Sequence, residues 1–267
     1  MADFQFKDRY DFNDLVSIMK RLRAKDGCPW DAEQTHESIK GNLIEETYEV
    51  IEAINKKDSE LLCEELGDVM MQVVFHAQME SEKNVFNIDD VTDGVCKKLV
   101  ERHPHVFGTV QVDSVDDVLT NWEQIKNKKK NRKTTTQSML SVPKELPALM
   151  RSTKVQNKAK KVGFDWDEID PVYEKLDEEI AELKEAVEQK DKAHIKEELG
   201  DVLMTVVNLS RFIDCDAEEC LNLSVDKFIN RFSIVEEYAK ERNIDMKACA
   251  IDELESMWQE AKTHERK

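Results

Sequence analysis

A six-carboxylate pattern that occurs twice constrains this chain more than any other feature. Glu45, Glu46 and Glu49 are followed by Glu64, Glu65 and Asp68, and the pattern returns as Glu178, Glu179, Glu182, Glu197, Glu198 and Asp201. Each acid of the second set lies 133 positions after its counterpart (45 to 178, 68 to 201). The surroundings are copied too, since Leu66-Gly67-Asp68-Val69 returns as Leu199-Gly200-Asp201-Val202. With 57 acids in 267 residues, chance would fill six preset positions roughly once in ten thousand trials, so an internal duplication is the frame for everything else.

The periodicity around the repeat is helical. Over 40–56, Ile44, Tyr48, Ile51 and Ile54 share one side, and Glu45, Glu46, Glu49 and Glu52 fall on the opposite arc. The stretch 59–83 is apolar on more than one face between Val69 and Phe75, which predicts a buried central helix. Helices are also predicted over 14–24, 89–102, 115–130, 149–162, 171–189, 194–214, 217–243 and 252–265, with a separate short turn at 35–39. Gly27 to Asp31 and Gly163 to Asp167 break the pattern at matching places, and His103-Pro104-His105 ends a helix. No stretch alternates as a strand would, and only 7 Gly and 5 Pro occur. The expected fold is all-α: two tandem repeats of a helical bundle. Between Asn127 and Pro147 a basic run, Lys128 to Lys133, is followed by three threonines and two prolines. This predicts a first domain over 1–130, a linker over 131–147 and a second domain over 148–267.

A net charge of −18 argues against nucleic acid or an anionic membrane as partner, and the basic run reads as a solvated linker. No apolar run is long enough to span a bilayer, no secretory signal is visible, and six scattered cysteines lack CxxC pairs. Those features predict a cytoplasmic protein with reduced thiols.

In each half the second Glu of the EE pair and the Glu three residues on share a helix face, as do the Glu and Asp of ExxD. Antiparallel packing of the two helices would gather Glu46, Glu49, Glu65 and Asp68, or Glu179, Glu182, Glu198 and Asp201, at one spot. Like charges so close require cations, and all-oxygen donors favour hard ions, chiefly Mg²⁺, Mn²⁺ or Ca²⁺. A lone EExxE is ordinarily a solvated helix face; duplication at fixed spacing argues otherwise. A di-iron centre would require Glu-x-x-His on two helices, and the one such pair, Glu33 and His36, is unrepeated. A cationic group follows each acidic element: Lys98 and Arg102 match Lys227 and Arg231, and Trp122 and Lys126 match Trp258 and Lys262. Cations beside a carboxylate-held metal suit a polyphosphate, while Trp258 fits either core packing or stacking on a base.

These segments, with Gly27 to Asp31, Arg102 to Phe107 and Gly163 to Trp166, resemble the bacterial MazG proteins over nearly the whole chain. The resemblance implies Mg²⁺-dependent hydrolysis of nucleoside triphosphates between the α and β phosphates, Mn²⁺ being a possible substitute, by a homodimer of tandem all-α domains. It implies that Glu179, Glu182, Glu198 and Asp201 hold the metal and that Glu178 orients water. Lys175, Lys227, Arg231 and Lys262 would then neutralise phosphates. It also implies a housecleaning or stress-regulatory role and catalysis mainly by the second domain. One internal difference agrees: the position one turn before the first metal-binding Glu is Lys175 in the second copy and Asn42 in the first. A nucleotide or metal sensor without turnover is the alternative, and a helical scaffold with decorative charge ranks behind both. Base and sugar preference are not legible from spacing.

Overall fold

The computed structural model describes residues 5–129 and 134–264, and every regular element among them is a helix. The all-α expectation holds. The chain divides into two compact units, Met1–Lys126 and Asn127–Lys267. In order, the helices are α1 (Phe12–Leu22), α2 (Pro29–Glu33), α3 (His36–Lys56), α4 (Ser59–Glu82), α5 (Ile88–Arg102), α6 (Pro104–Phe107) and α7 (Val115–Lys129). They continue with α8 (Thr135–Leu140), α9 (Ala148–Lys160), α10 (Asp170–Gln189), α11 (Lys192–Phe212), α12 (Ala217–Glu241) and α13 (Ile251–His264).

Each unit is built on one helical hairpin, α3–α4 in the first and α10–α11 in the second. The two turns are made alike. Lys57 (φ 55°) and Lys190 (φ 58°) end the incoming helices in the left-handed region, and Asp58 and Asp191 cap the outgoing ones. Asp58 Oδ1 accepts from the Glu60 and Leu61 amides, both at 3.0 Å, and Asp191 Oδ1 from those of Ala193 and His194 at 2.9 and 3.3 Å. Ala53 and Ala186, both 0% exposed, sit next to these turns, where a small side chain lets the paired helices approach.

The first core lies at the end of the hairpin away from the turn. Met19 of α1 packs with Ile39, Val74, Phe75 and Met79, flanked by Leu15, Val16, Met71 and Ile88. Burial of such side chains contributes roughly 1.5–3 kcal/mol each. In the second unit α9 packs on α11, while Val235, Ala239, Met257 and Ala261 form a core between α12 and α13.

Two local expectations differ from the structure. No separate turn precedes the acidic helix: α3 starts at His36, capped by a reciprocal Thr35–Ser38 box, and Gly41 is simply part of it. Within the expected linker, Lys130 to Lys133 lie outside the described residues, but Thr134 caps α8, which packs on α9. Ser138 there is buried and accepts from Lys158 Nζ at 2.8 Å, and Val142 is buried too.

His36, the lone histidine of the unrepeated Glu-x-x-His, pairs across the first hairpin. Its Nδ1 lies 2.7 Å from His76 Nδ1, and its Nε2 lies 2.6 Å from Glu80 Oε1. Glu80 accepts, so His36 Nε2 donates, and the neutral pair then has His76 Nδ1 donating to His36 Nδ1. His76 Nε2 is left as a buried acceptor with no partner among the described residues. Burial, and then the neighbouring His36, push the His76 imidazole below its ordinary 6.5. A base depressed on folding contributes stability that is complete above its unfolded value and is lost as pH falls through the folded one. The thermal midpoint should therefore drop between pH 7 and pH 5, and His76→Phe should flatten that slope; an unchanged slope in the variant would refute this assignment.

Candidate functional site

The hairpin turn sets which acids meet. Glu49 and Glu65 each lie eight residues from Lys57, and Glu46 and Asp68 each lie eleven, so antiparallel packing places the members of each pair opposite one another. The same count from Lys190 pairs Glu182 with Glu198 and Glu179 with Asp201. The geometry follows the count. One carboxylate oxygen from each of Glu46, Glu49 and Glu65 falls within 4.8 Å of the others, and Glu179, Glu182 and Glu198 do the same.

Electrostatics record the crowding. The Glu46 carboxyl is held above its usual range by burial first, then by Glu49 and Asp68, against a smaller pull from Gln72. Glu65 is raised by burial, then by Glu49, Glu64 and Asp68. Glu182 is raised by burial and by Glu198 and Glu179, with Lys175 opposing. Both donor sets are all carboxylate oxygen, half-buried in the first and with Glu179 and Glu198 buried in the second, which fits a hard divalent cation.

The second cluster has companions that the first lacks. Lys175 Nζ sits 2.8 Å from Glu178 Oε1 and 2.9 Å from Glu179 Oε1, and its pKa is raised by the first contact and then the second. His194 Nε2 approaches Glu198 Oε1 at 2.9 Å. Their counterparts in the first repeat are Asn42 and Leu61. Beside this cluster opens a cavity of about 600 Å³. Lys175, Glu179 and Asp201 line it together with Gln156, Asp165, Asn208 and Arg211 and the apolar Met139, Val155 and Trp166. It combines an apolar wall, convergent polar groups and a carboxylate cluster, as ligand sites do.

Comparison with known proteins accounts for this arrangement. The MazG nucleotide pyrophosphohydrolase domain matches twice, at residues 34–107 and 170–235, each match covering one acidic hairpin. The chain belongs to the MazG family. A Thermotoga maritima relative named nucleoside triphosphate pyrophosphohydrolase/pyrophosphatase MazG is 45% identical over 94% of this chain and 95% of its own. An Escherichia coli nucleoside triphosphate pyrophosphohydrolase is 41% identical over 94% of this chain and 97% of its own. A Bacillus subtilis protein named as uncharacterised is 45% identical over 97% of this chain but only 53% of its own length.

Within the second MazG domain the structure gathers Lys175, Glu178, Glu179, Glu182 and Glu198, with Asp201 on the cavity wall. Lys227 and Arg231 lie on α12 and Trp258 and Lys262 on α13, and none of them lines that cavity. The Arg231 guanidinium lies 5.9 Å from the centre of the Trp258 ring, and Phe228 packs on the same indole at 5.0 Å. Those are packing contacts. The first domain repeats the arginine contact, with Arg102 over Trp122 at 4.8 Å, and adds Lys126 over the same ring at 4.9 Å.

Sequence reasoning passed over His194, Gln156, Asp165, Asn208 and Arg211. Arg211 Nη2 meets Asp165 Oδ2 at 2.5 Å, and both side chains are under 10% exposed. Partners so far apart in sequence leave no spacing signal; the one available clue was an arginine inside an apolar helix. The MazG carboxylate clusters carry a testable sign. An acid whose pKa is raised on folding opposes folding when charged, so Glu46→Gln should raise the thermal midpoint in EDTA. Mg²⁺ should then raise the midpoint of the unsubstituted protein more than that of the variant. A lower midpoint for the variant in EDTA would contradict the repulsion described above.

Proposed function

We propose that this protein is a Mg²⁺-dependent nucleoside triphosphate pyrophosphohydrolase that adds water across the α–β anhydride, giving a nucleoside monophosphate and pyrophosphate. The observation that carries the reading is the second hairpin, where a carboxylate cluster, a lysine upon it and a nucleoside-sized cavity adjoin. The names of the Thermotoga and Escherichia relatives support it.

Glu179, Glu182, Glu198 and Asp201 would hold Mg²⁺, or Mn²⁺ in its place. Bound there, the metal would neutralise phosphate charge and acidify a water. Lys175 stays cationic because Glu178 and Glu179 hold its proton, and it lies one turn from the metal ligands, where a phosphate oxygen can take over its contacts. That exchange frees Glu178 to orient the attacking water and accept its proton. Lys227, Lys262 and Arg231, which lie outside the cavity lining, with Arg231 over the Trp258 ring, would add positive charge for the polyphosphate. The first domain, with Asn42 in place of the lysine, binds metal and turns over slowly.

The working form in this reading is a homodimer. Leu221, Leu223, Val225, Phe228 and Ile229 of α12 are each between 48% and 59% exposed, an apolar run of the kind that marks an interface. No helix among the described residues is long and apolar enough to cross a membrane, and the role we assign is removal of surplus or abnormal nucleotides in the cytoplasm.

Incubation with each ribo- and deoxyribonucleoside triphosphate, with chromatography of the products, tests the reaction. Monophosphate and pyrophosphate should form with Mg²⁺ and not with EDTA, and Glu179→Ala should lower the rate about a hundredfold or more. Diphosphate and orthophosphate would place the cut at another bond. Metal-dependent binding without turnover would favour the sensor. In the same assay Glu46→Ala should keep most of the activity; the opposite pattern would reverse the roles of the two domains.

A further inference from the structure

We propose that Asn208 reads the base, and that it selects bases presenting an oxo group over those presenting an amino group. The inference rests on the second domain's cavity being the nucleoside site. Asn208 and Asp201 both line that cavity from α11. Seven residues apart at 1.5 Å each, they stand roughly 10 Å from one another along the helix, a span that a nucleoside bridges.

Arg211 decides which way the Asn208 amide faces. Its guanidinium is held by Asn157 Oδ1 at 3.1 Å, Gln156 Oε1 at 3.0 Å, Asn208 Oδ1 at 3.3 Å and Asp165 Oδ2 at 2.5 Å. A guanidinium only donates, so each partner must turn an oxygen to it. The Asn208 oxygen is therefore committed, and its NH₂ has no acceptor among the described residues. Gln156 is not available in the same way. Its oxygen faces Arg211, and its NH₂ donates to the Met204 carbonyl at 2.8 Å and to Ser152 Oγ at 3.1 Å.

The duplication shows that this polar residue is not required by the hairpin. The position equivalent to Asn208 in the first repeat is Phe75, 4% exposed in the core beside Val74 and Met79. One backbone thus carries a core aromatic in one copy and an oriented amide donor in the other. A fixed donor pairs with the O6 of guanine or hypoxanthine, or with the O4 of uracil. Facing the exocyclic NH₂ of adenine or cytosine, it would set donor against donor and leave both unpaired.

The test is kcat/KM for GTP, ITP, ATP, UTP and CTP with Mg²⁺, in the unsubstituted protein, Asn208→Asp and Asn208→Leu. Equilibrium affinities for the same nucleotides are measured alongside. The unsubstituted protein should favour GTP and ITP over ATP, and UTP over CTP. Asn208→Asp keeps one oxygen on Arg211 and turns an acceptor to the base, so it should move both ratios about tenfold toward ATP and CTP. Asn208→Leu, similar in size, should bring the ratios near one. If all five nucleotides change together in both variants, or the ratios stay fixed, Asn208 does not read the base. Pyrophosphate release from none of them would remove the hydrolase reading alone, because the affinity ratios still decide the role of Asn208.

Discussion

Three carboxylates held against their own repulsion at the middle of each helical hairpin are the constraint on which the rest of the protein depends. The hairpin makes the encounter unavoidable. Its turn fixes the register, and acids counted eight and eleven residues on either side of Lys57 or Lys190 must face each other. Apolar packing at the far end keeps the helices together: Met19, Ile39, Val74, Phe75 and Met79 in the first unit supply the attraction that the acids oppose. Burial and mutual repulsion then raise Glu46, Glu65 and Glu182 above the usual carboxylate range. Such a site is pre-organised for a cation, which removes the conflict on binding.

The duplication lets one repeat serve as a control for the other. Both keep the six acids, the left-handed lysine, the capping aspartate and the arginine over a tryptophan. They part at positions around the cluster rather than within it. Asn42 becomes Lys175, Leu61 becomes His194 and Phe75 becomes Asn208. The first two changes set a cationic or titratable group on carboxylates that are otherwise the same, and the third puts an amide on the cavity wall farther along α11. In the function proposed above, metal binding belongs to the shared frame, and handling of a nucleotide belongs to the differences.

The helical class and the meeting of three acids in each hairpin were legible because they rest on local periodicity and on a pattern repeated at constant spacing. The acidic helices were placed to within a few residues, since Ile44, Tyr48 and Ile51 mark one face and the glutamates the other. The start of α3 was not, because the turn expected at 35–39 is the first turn of the acidic helix itself, opened by the Thr35–Ser38 capping box. Helix α8 was hidden for a related reason: three threonines look like linker, yet Thr134 acts as a cap. The cavity was illegible. It is lined by Asn208, where the first repeat has phenylalanine, and by Arg211, which reaches Asp165, Gln156 and Asn157 from another helix. Such contacts come from tertiary packing and have no period of their own.

The most direct test of the central claim counts the cations. Mn²⁺ titrated into the metal-stripped protein and followed by electron paramagnetic resonance would report how many ions are held and by which repeat. Specific binding is expected at both hairpins, with Glu46→Gln/Glu49→Gln removing one population and Glu179→Gln/Glu182→Gln the other. If Mn²⁺ bound only at the level of a diffuse acidic surface, unaffected by either pair of substitutions, the carboxylate clusters would be charged helix faces and not metal sites.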